Sequence, residues 1–107
     1  MISTEKYTVM HALEDLMDEK VGLVATWIEE RDHSATFDEV RAEFISGLQG
    51  LRKIVQDKDY SPIAKDQRVA LERLDNLAKI AQGDWSNQQT LANLNKEYKS
   101  YKQPKQI

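Results

Sequence analysis

The stretch HALEDLMDEK, residues 11–20, concentrates one histidine and four carboxylates in a single run. Such residues bind metals or move protons when several of them converge inside a fold. Their spacing here argues against both uses. On a helix turning about 100° per residue, His11, Glu14, Asp15, Asp18, Gly22, Ala25 and Glu29 share one face, opposite the apolar one. Metal-binding bundles project Glu and Glu-x-x-His ligands inward from several helices. In this chain the order is reversed, His11-x-x-Glu14, and no inward-facing acid recurs on later segments. An outward acid stripe also lacks the burial that shifts a catalytic pKa. The i,i+4 pairs Glu14/Asp18 and Asp15/Glu19 carry like charges that cost the helix a little. That cost marks Asp15 and Asp18 as candidates for a partner surface.

A second cluster, Asp32-His33-Ser34, has the residue types of a hydrolytic triad. Neighbours in one loop do not reach the mutual orientations that mechanism demands. The sequence therefore predicts no catalytic residue, metal site or cofactor, and the chain is not expected to be an enzyme. For recognition, Tyr98 and Tyr101 alternate with Lys96, Lys99 and Lys102 in KEYKSYKQPK, a pattern of aromatic and cationic groups suited to single-stranded nucleic acid or an acidic protein. Trp27 joins these as a candidate anchor, although both Trp27 and Trp85 sit where core packing is expected.

The elements that must carry these residues follow from capping signals and apolar spacing. Helix one is expected over about 4–31, capped by Ser3 or Thr4. Its apolar face is Val9, Met10, Leu13, Leu16, Met17, Val21, Val24, Trp27 and Ile28. Gly22 costs a helix interior about 1 kcal/mol relative to alanine, so a kink is expected near it. The piece VGLVATWI gathers β-branched and aromatic residues, yet nothing nearby offers a pairing strand or hairpin turn.

Thr36-Phe37-Asp38-Glu39 is a T-x-x-E capping box with Ala35 and Val40 placed as a weak staple, and it starts a helix over 37–56. Phe37, Val40, Phe44, Leu48, Leu51 and Val55 form its buried face, and Gly47 and Gly50 suit a close helix crossing. Ser61-Pro62 opens a third helix over 62–82, with Ile63, Ala64, Ala70, Leu71, Leu74, Leu77, Ala78 and Ala81 on one side. Gly83 stands where a left-handed residue would end it. Ser86-x-x-Gln89 is a second capping box and starts a helix over 87–102, with Trp85 packing back on the bundle. Pro104 is expected to leave residues 103–107 as a short mobile tail.

Four such segments with short connections predict an all-α chain, a compact antiparallel bundle of four helices in one domain. At 107 residues there is room for one modest core. The absence of cysteine fits a reducing compartment, and the N-terminus shows no signal peptide, so a cytoplasmic location is expected. No apolar run approaches a membrane span. The net charge of −3 is uneven: residues 1–35 have eight acids against Lys6, Lys20 and Arg31, whereas residues 84–107 have Asp84 and Glu97 against four lysines. An acidic chain with a weakly basic end is not expected to bind nucleic acid, which needs a cationic stripe. No small-molecule substrate is evident either.

In scale and architecture the chain resembles the immunity proteins of class II bacteriocins, a likeness of fold that assigns no residue. Absent machinery and separated charge together predict a non-enzymatic protein-binding module of inhibitor, antitoxin, immunity or phage accessory type. The alternative is a self-assembling structural protein, a homodimer or larger, whose wide helix-one face meets a second copy.

Overall fold

Apolar periodicity of 3.6 residues has built helices throughout. The computed structural model describes residues 4–102, with side chains from Lys6 to Tyr101. Its elements are α1 (Thr4–Leu16), a π-helical turn (Met17–Val21), α2 (Gly22–Glu30), α3 (Phe37–Val55), α4 (Ala64–Ala81) and α5 (Gln88–Lys102). No strand occurs among the described residues. Because α1, the π turn and α2 run on as one rod, the architecture is a compact antiparallel bundle of four helices. The expected cap at Ser3 and the tail at 103–107 lie outside the described residues.

The bundle measures 47 × 31 × 19 Å. Its thinnest dimension is about two helix diameters of ~10 Å, so the molecule is a slab two helices deep. α3 packs against both α1 and α4, and α4 packs against α5. α5 in turn meets the π turn and α2. Between the layers lies one core, in which Phe44, Val21, Val24, Val55, Leu77, Leu94 and Trp85 are the most deeply buried side chains. Trp85 packs at 60° against Phe44 with ring centroids 5.3 Å apart. Its indole N–H donates to the Ala81 carbonyl at 2.7 Å, so the buried polar edge is satisfied. This is the back-packing that its place before α5 predicts.

The irregularity of the first rod sits just before Gly22 rather than at it. Gly22 keeps ordinary helical dihedrals, and its N–H bonds the Met17 carbonyl five residues back, the mark of a π turn. The apolar stripe explains why. At 100° per residue the direction set by Val9, Leu13 and Leu16 drifts by roughly 85–90° on reaching Val21, Val24 and Ile28. A π turn advances less per residue and takes up the drift, keeping Val9, Met17, Val21 and Val24 all buried. The same adjustment rotates Gly22, Ala25 and Glu29 away from the line of His11, Glu14, Asp15 and Asp18, although all seven remain exposed.

Several helix ends differ in detail from the sequence expectation. α3 starts at Phe37 as expected, but Thr36 makes no side-chain cap bond. Phe37 is instead docked edge-on against Trp27 at 5.8 Å. α4 begins at Ala64, two residues later than proline placement implied, because Ile63 is extended and Ser61 Oγ accepts the Ile63 N–H. Ile63 and Ala64 accordingly face solvent, not the core. The cap of α5 is Asn87, whose Oδ1 accepts the Gln89 N–H at 2.8 Å, while Ser86 turns back to Asp84. Gly83 is not left-handed; the only non-glycine residue with positive φ among those described is Arg31 (φ 56°), which ends α2. What Gly83 supplies is space, since a Cβ there would lie 3.2 Å from Thr90 Oγ1 and 3.3 Å from the Ile80 carbonyl. Gly47 has a similar use, with Leu16 Cδ1 at 2.8 Å from where its Cβ would be; Gly50 faces open space.

Candidate functional site

α1 leans on α3, and α5 leans on α4, so the N-terminal half of α1 and the C-terminal half of α5 diverge. Between them, floored by α4, lies a groove of about 610 Å³. The α1 wall presents Tyr7, Met10, His11 and Glu14; the α5 wall presents Tyr98 and Tyr101. Val69, Ala70, Arg73 and Leu74 of α4 form the floor. Tyr7 and Met10 are 58% and 59% exposed and adjoin one another on α1, whereas the other exposed large apolar residues, Leu23 and Ile63, stand apart from them in sequence.

One end of the groove is closed by polar contacts that tie α1 to the start of α4. Lys6 Nζ donates to Asp66 Oδ2 at 2.7 Å, and Ser61 Oγ donates to the same oxygen at 3.2 Å. The Lys6 ammonium beside it holds the Asp66 carboxyl below the usual carboxylate range. Beneath them Tyr60 is buried, and that burial raises its phenol above the ordinary value. At the other wall, the Tyr101 hydroxyl lies 2.6 Å from Glu97 Oε2 and 3.1 Å from the Arg73 carbonyl, so its proton has two acceptors in reach. Burial, reinforced by the Glu97 carboxylate, raises the Tyr101 phenol strongly. The Arg73 guanidinium lies 5.0 Å from the centre of that ring, a cation–π contact. Across the groove the rings of Tyr7 and His11 pack at 4.3 Å, one helical turn apart.

The candidate residues read from sequence divide between this groove and other surfaces. Tyr98 and Tyr101 line it, both half-buried. Lys96 and Lys99 are exposed and outside the lining, and the Lys102 side chain lies outside the described residues. Asp15 and Asp18 stand on the exposed side of the first rod, beyond the groove rim. Trp27 is partly buried against Phe37 at the far end of the molecule. Sequence reasoning missed Tyr7, Lys65 and Arg73, and placed Met10 in the core. The i,i+4 spacing of Tyr7 and His11 was a usable sign of a side-chain pair on one helix face.

Chemically the groove can hold apolar and aromatic groups, with charge at its edges. Among the described residues no three of His, Cys, Asp and Glu come together as a metal-holding group. Asp32 and Ser34 form a local turn: Asp32 Oδ1 accepts both the N–H and the hydroxyl of Ser34. Asp84 and Ser86 repeat it. The hydroxyl is spent within the turn in each case, and His33 is exposed to solvent. A shallow trough of about 480 Å³ along the outer side of α4 has no such convergence of aromatic groups. No helix among the described residues is long and apolar enough to cross a membrane.

Neither any known protein family, nor any curated protein, nor any solved structure matches this chain.

Proposed function

We propose that the chain is a single-domain, non-catalytic protein-binding module of the inhibitor, antitoxin, immunity or phage accessory kind, acting in the cytoplasm and docking its partner in the α1/α4/α5 groove. The observation that carries this is the divergence of α1 from α5, which leaves Tyr7 and Met10 more than half exposed beside Tyr98 and Tyr101. Aromatic and methionine side chains of this kind contribute most of the energy at protein interfaces. Four polar groups of the groove are held in fixed states by their surroundings. Lys6 and Asp66 neutralise one another, and the raised phenols of Tyr60 and Tyr101 stay protonated at neutral pH. The uneven charge along the chain adds orientation to the encounter.

The test is capture of a stoichiometric partner from source-organism lysate by the tagged chain, with mass spectrometry and light scattering of the eluate. Met10→Asp places a charge on the open α1 wall and is expected to abolish capture while the far-ultraviolet circular dichroism stays unchanged. Capture that survives Met10→Asp but is lost in Asp15→Lys/Asp18→Lys would move the docking surface to the acid side of the first rod. Recovery of the chain alone at twice its mass would make the second copy its partner.

A further inference from the structure

We propose that the occupant of the groove is an amphipathic α-helix of a partner protein whose apolar stripe is bordered by carboxylates on the edge facing α4. This rests on the docking reading above and adds the partner's chemistry to it.

The walls themselves select a helix. All three are helices whose backbone N–H and C=O groups are spent within their own elements. An extended peptide laid between them would find no sheet edge to extend and would bury its backbone unpaired. A helix brings its own backbone bonds and needs only an apolar stripe, which Met10, Tyr7, Tyr98 and Leu74 are placed to receive. Two helices that diverge over a third leave the space that an additional helix of a bundle would occupy.

Charge then fixes which edge faces which wall. Of the groove's charged side chains, Lys6 and Asp66 form an ion pair. Lys65 and Arg73 on α4 and Glu14 on α1 also line the groove, and none of these three forms an ion pair among the described residues. The α4 side of the groove is thus cationic in a chain of net charge −3. The α1 side continues outward into Asp15 and Asp18. Eight residues separate Lys65 from Arg73, which on a helix is roughly 12 Å. A partner helix lying along α4 meets both cations with carboxylates seven or eight positions apart, and sets bases toward Glu14. The Arg73 guanidinium is held over the Tyr101 ring, so it is partly ordered before any carboxylate arrives.

The full chain is titrated against fluorescein-labelled helical peptides of about 18 residues, ~27 Å when helical. They share one apolar stripe and carry Glu, Gln or Lys on one flank, with a proline-broken Glu peptide as control. Fluorescence anisotropy is expected to show the Glu peptide binding about tenfold tighter than the Lys peptide at low salt. That gap should narrow as salt is added, and the broken peptide should not bind. Lys65→Glu, at an exposed position, and Lys65→Glu/Arg73→Glu are expected to reduce and then reverse the preference, with Met10→Asp removing binding of all peptides. A preference for the Lys peptide, or one indifferent to Lys65→Glu, overturns the charge assignment and leaves the docking groove standing. Equal binding by the broken peptide overturns the helix. No binding of any peptide, with the chain a monomer in light scattering, overturns this proposal and the groove as a docking site together. A dimer that excludes all peptides gives the groove to a second copy and overturns it likewise.

Discussion

Tyr101 joins the core and the groove in one side chain. Its ring forms part of the α5 wall and carries the Arg73 guanidinium, while its hydroxyl is held by Glu97 and the Arg73 carbonyl. Because burial and then Glu97 raise its phenol above the ordinary 10.0, folding favours the protonated form. The resulting stability is complete below about pH 10, the unfolded value, and is lost as pH climbs toward the folded one. Tyr101→Phe is expected to cost about 1 kcal/mol at neutral pH through the lost hydrogen bond. It should also flatten the fall in urea-unfolding stability above about pH 10. An alkaline limb as steep in the variant as in the parent would place the raised phenol elsewhere. From sequence, the alternation of Tyr98 and Tyr101 with Lys96, Lys99 and Lys102 identified both as candidates. The Glu97 partner, four residues earlier on the same helix, had a local i,i+4 sign, whereas Arg73 lies 28 residues away and reaches Tyr101 only through the packing of α4 on α5.

At the scale of elements, the π turn is the feature with the clearest consequence. It behaves as one extra residue inserted between two apolar stripes that would otherwise align. Deleting Glu19, an exposed residue within the turn, is expected to regularise the rod and keep the fold. Circular dichroism and a single cooperative thermal transition would show it. Deleting Ser46 from α3, where no slack exists, rotates Leu48, Leu51 and Val55 by about 100° off the core and is expected to abolish cooperative unfolding. Should both deletions behave alike, the π turn carries no register function. Helix existence was legible at every segment because the apolar spacing is strong; the caps were less so. Thr36 and Ser86 satisfy the capping pattern, yet Phe37 packing on Trp27 and the Asp84–Ser86 turn set the local geometry. The left-handed terminator falls on Arg31 rather than Gly83, because the route to α3, not glycine content, dictated where the chain reverses.

For the whole molecule, the relation of α1 to α4 depends on polar closure at one end of the groove. Asp66 is held below the ordinary 3.8 chiefly by the Lys6 hydrogen bond. A lowered carboxyl stabilises the fold above its unfolded pKa, and that stability disappears as pH falls through the folded one. The acid limb of unfolding below about pH 4 should therefore be shallower in Asp66→Asn than in the parent. Hydrogen exchange in the first turns of α1 should rise in the variant at neutral pH. An unchanged acid limb would show that the bridge at this partly exposed site adds nothing, the usual fate of surface ion pairs.

The division between what was written in the chain and what assembly added follows from the range of the forces. Apolar residues at helical spacing, turn residues between them and an uneven charge are local, and they determined four helices, an outward acid stripe and the burial of Trp85. Only tertiary packing decided that α1 would lean on α3 while α5 leaned on α4. The groove exists because those pairings diverge, and it gathers Tyr7, Met10, Arg73 and Tyr101 from positions up to 94 residues apart. Periodicity marks a side chain as facing inward without saying whether another helix arrives to cover it. Met10 has the spacing of a core residue and remains open because no helix among the described residues covers it.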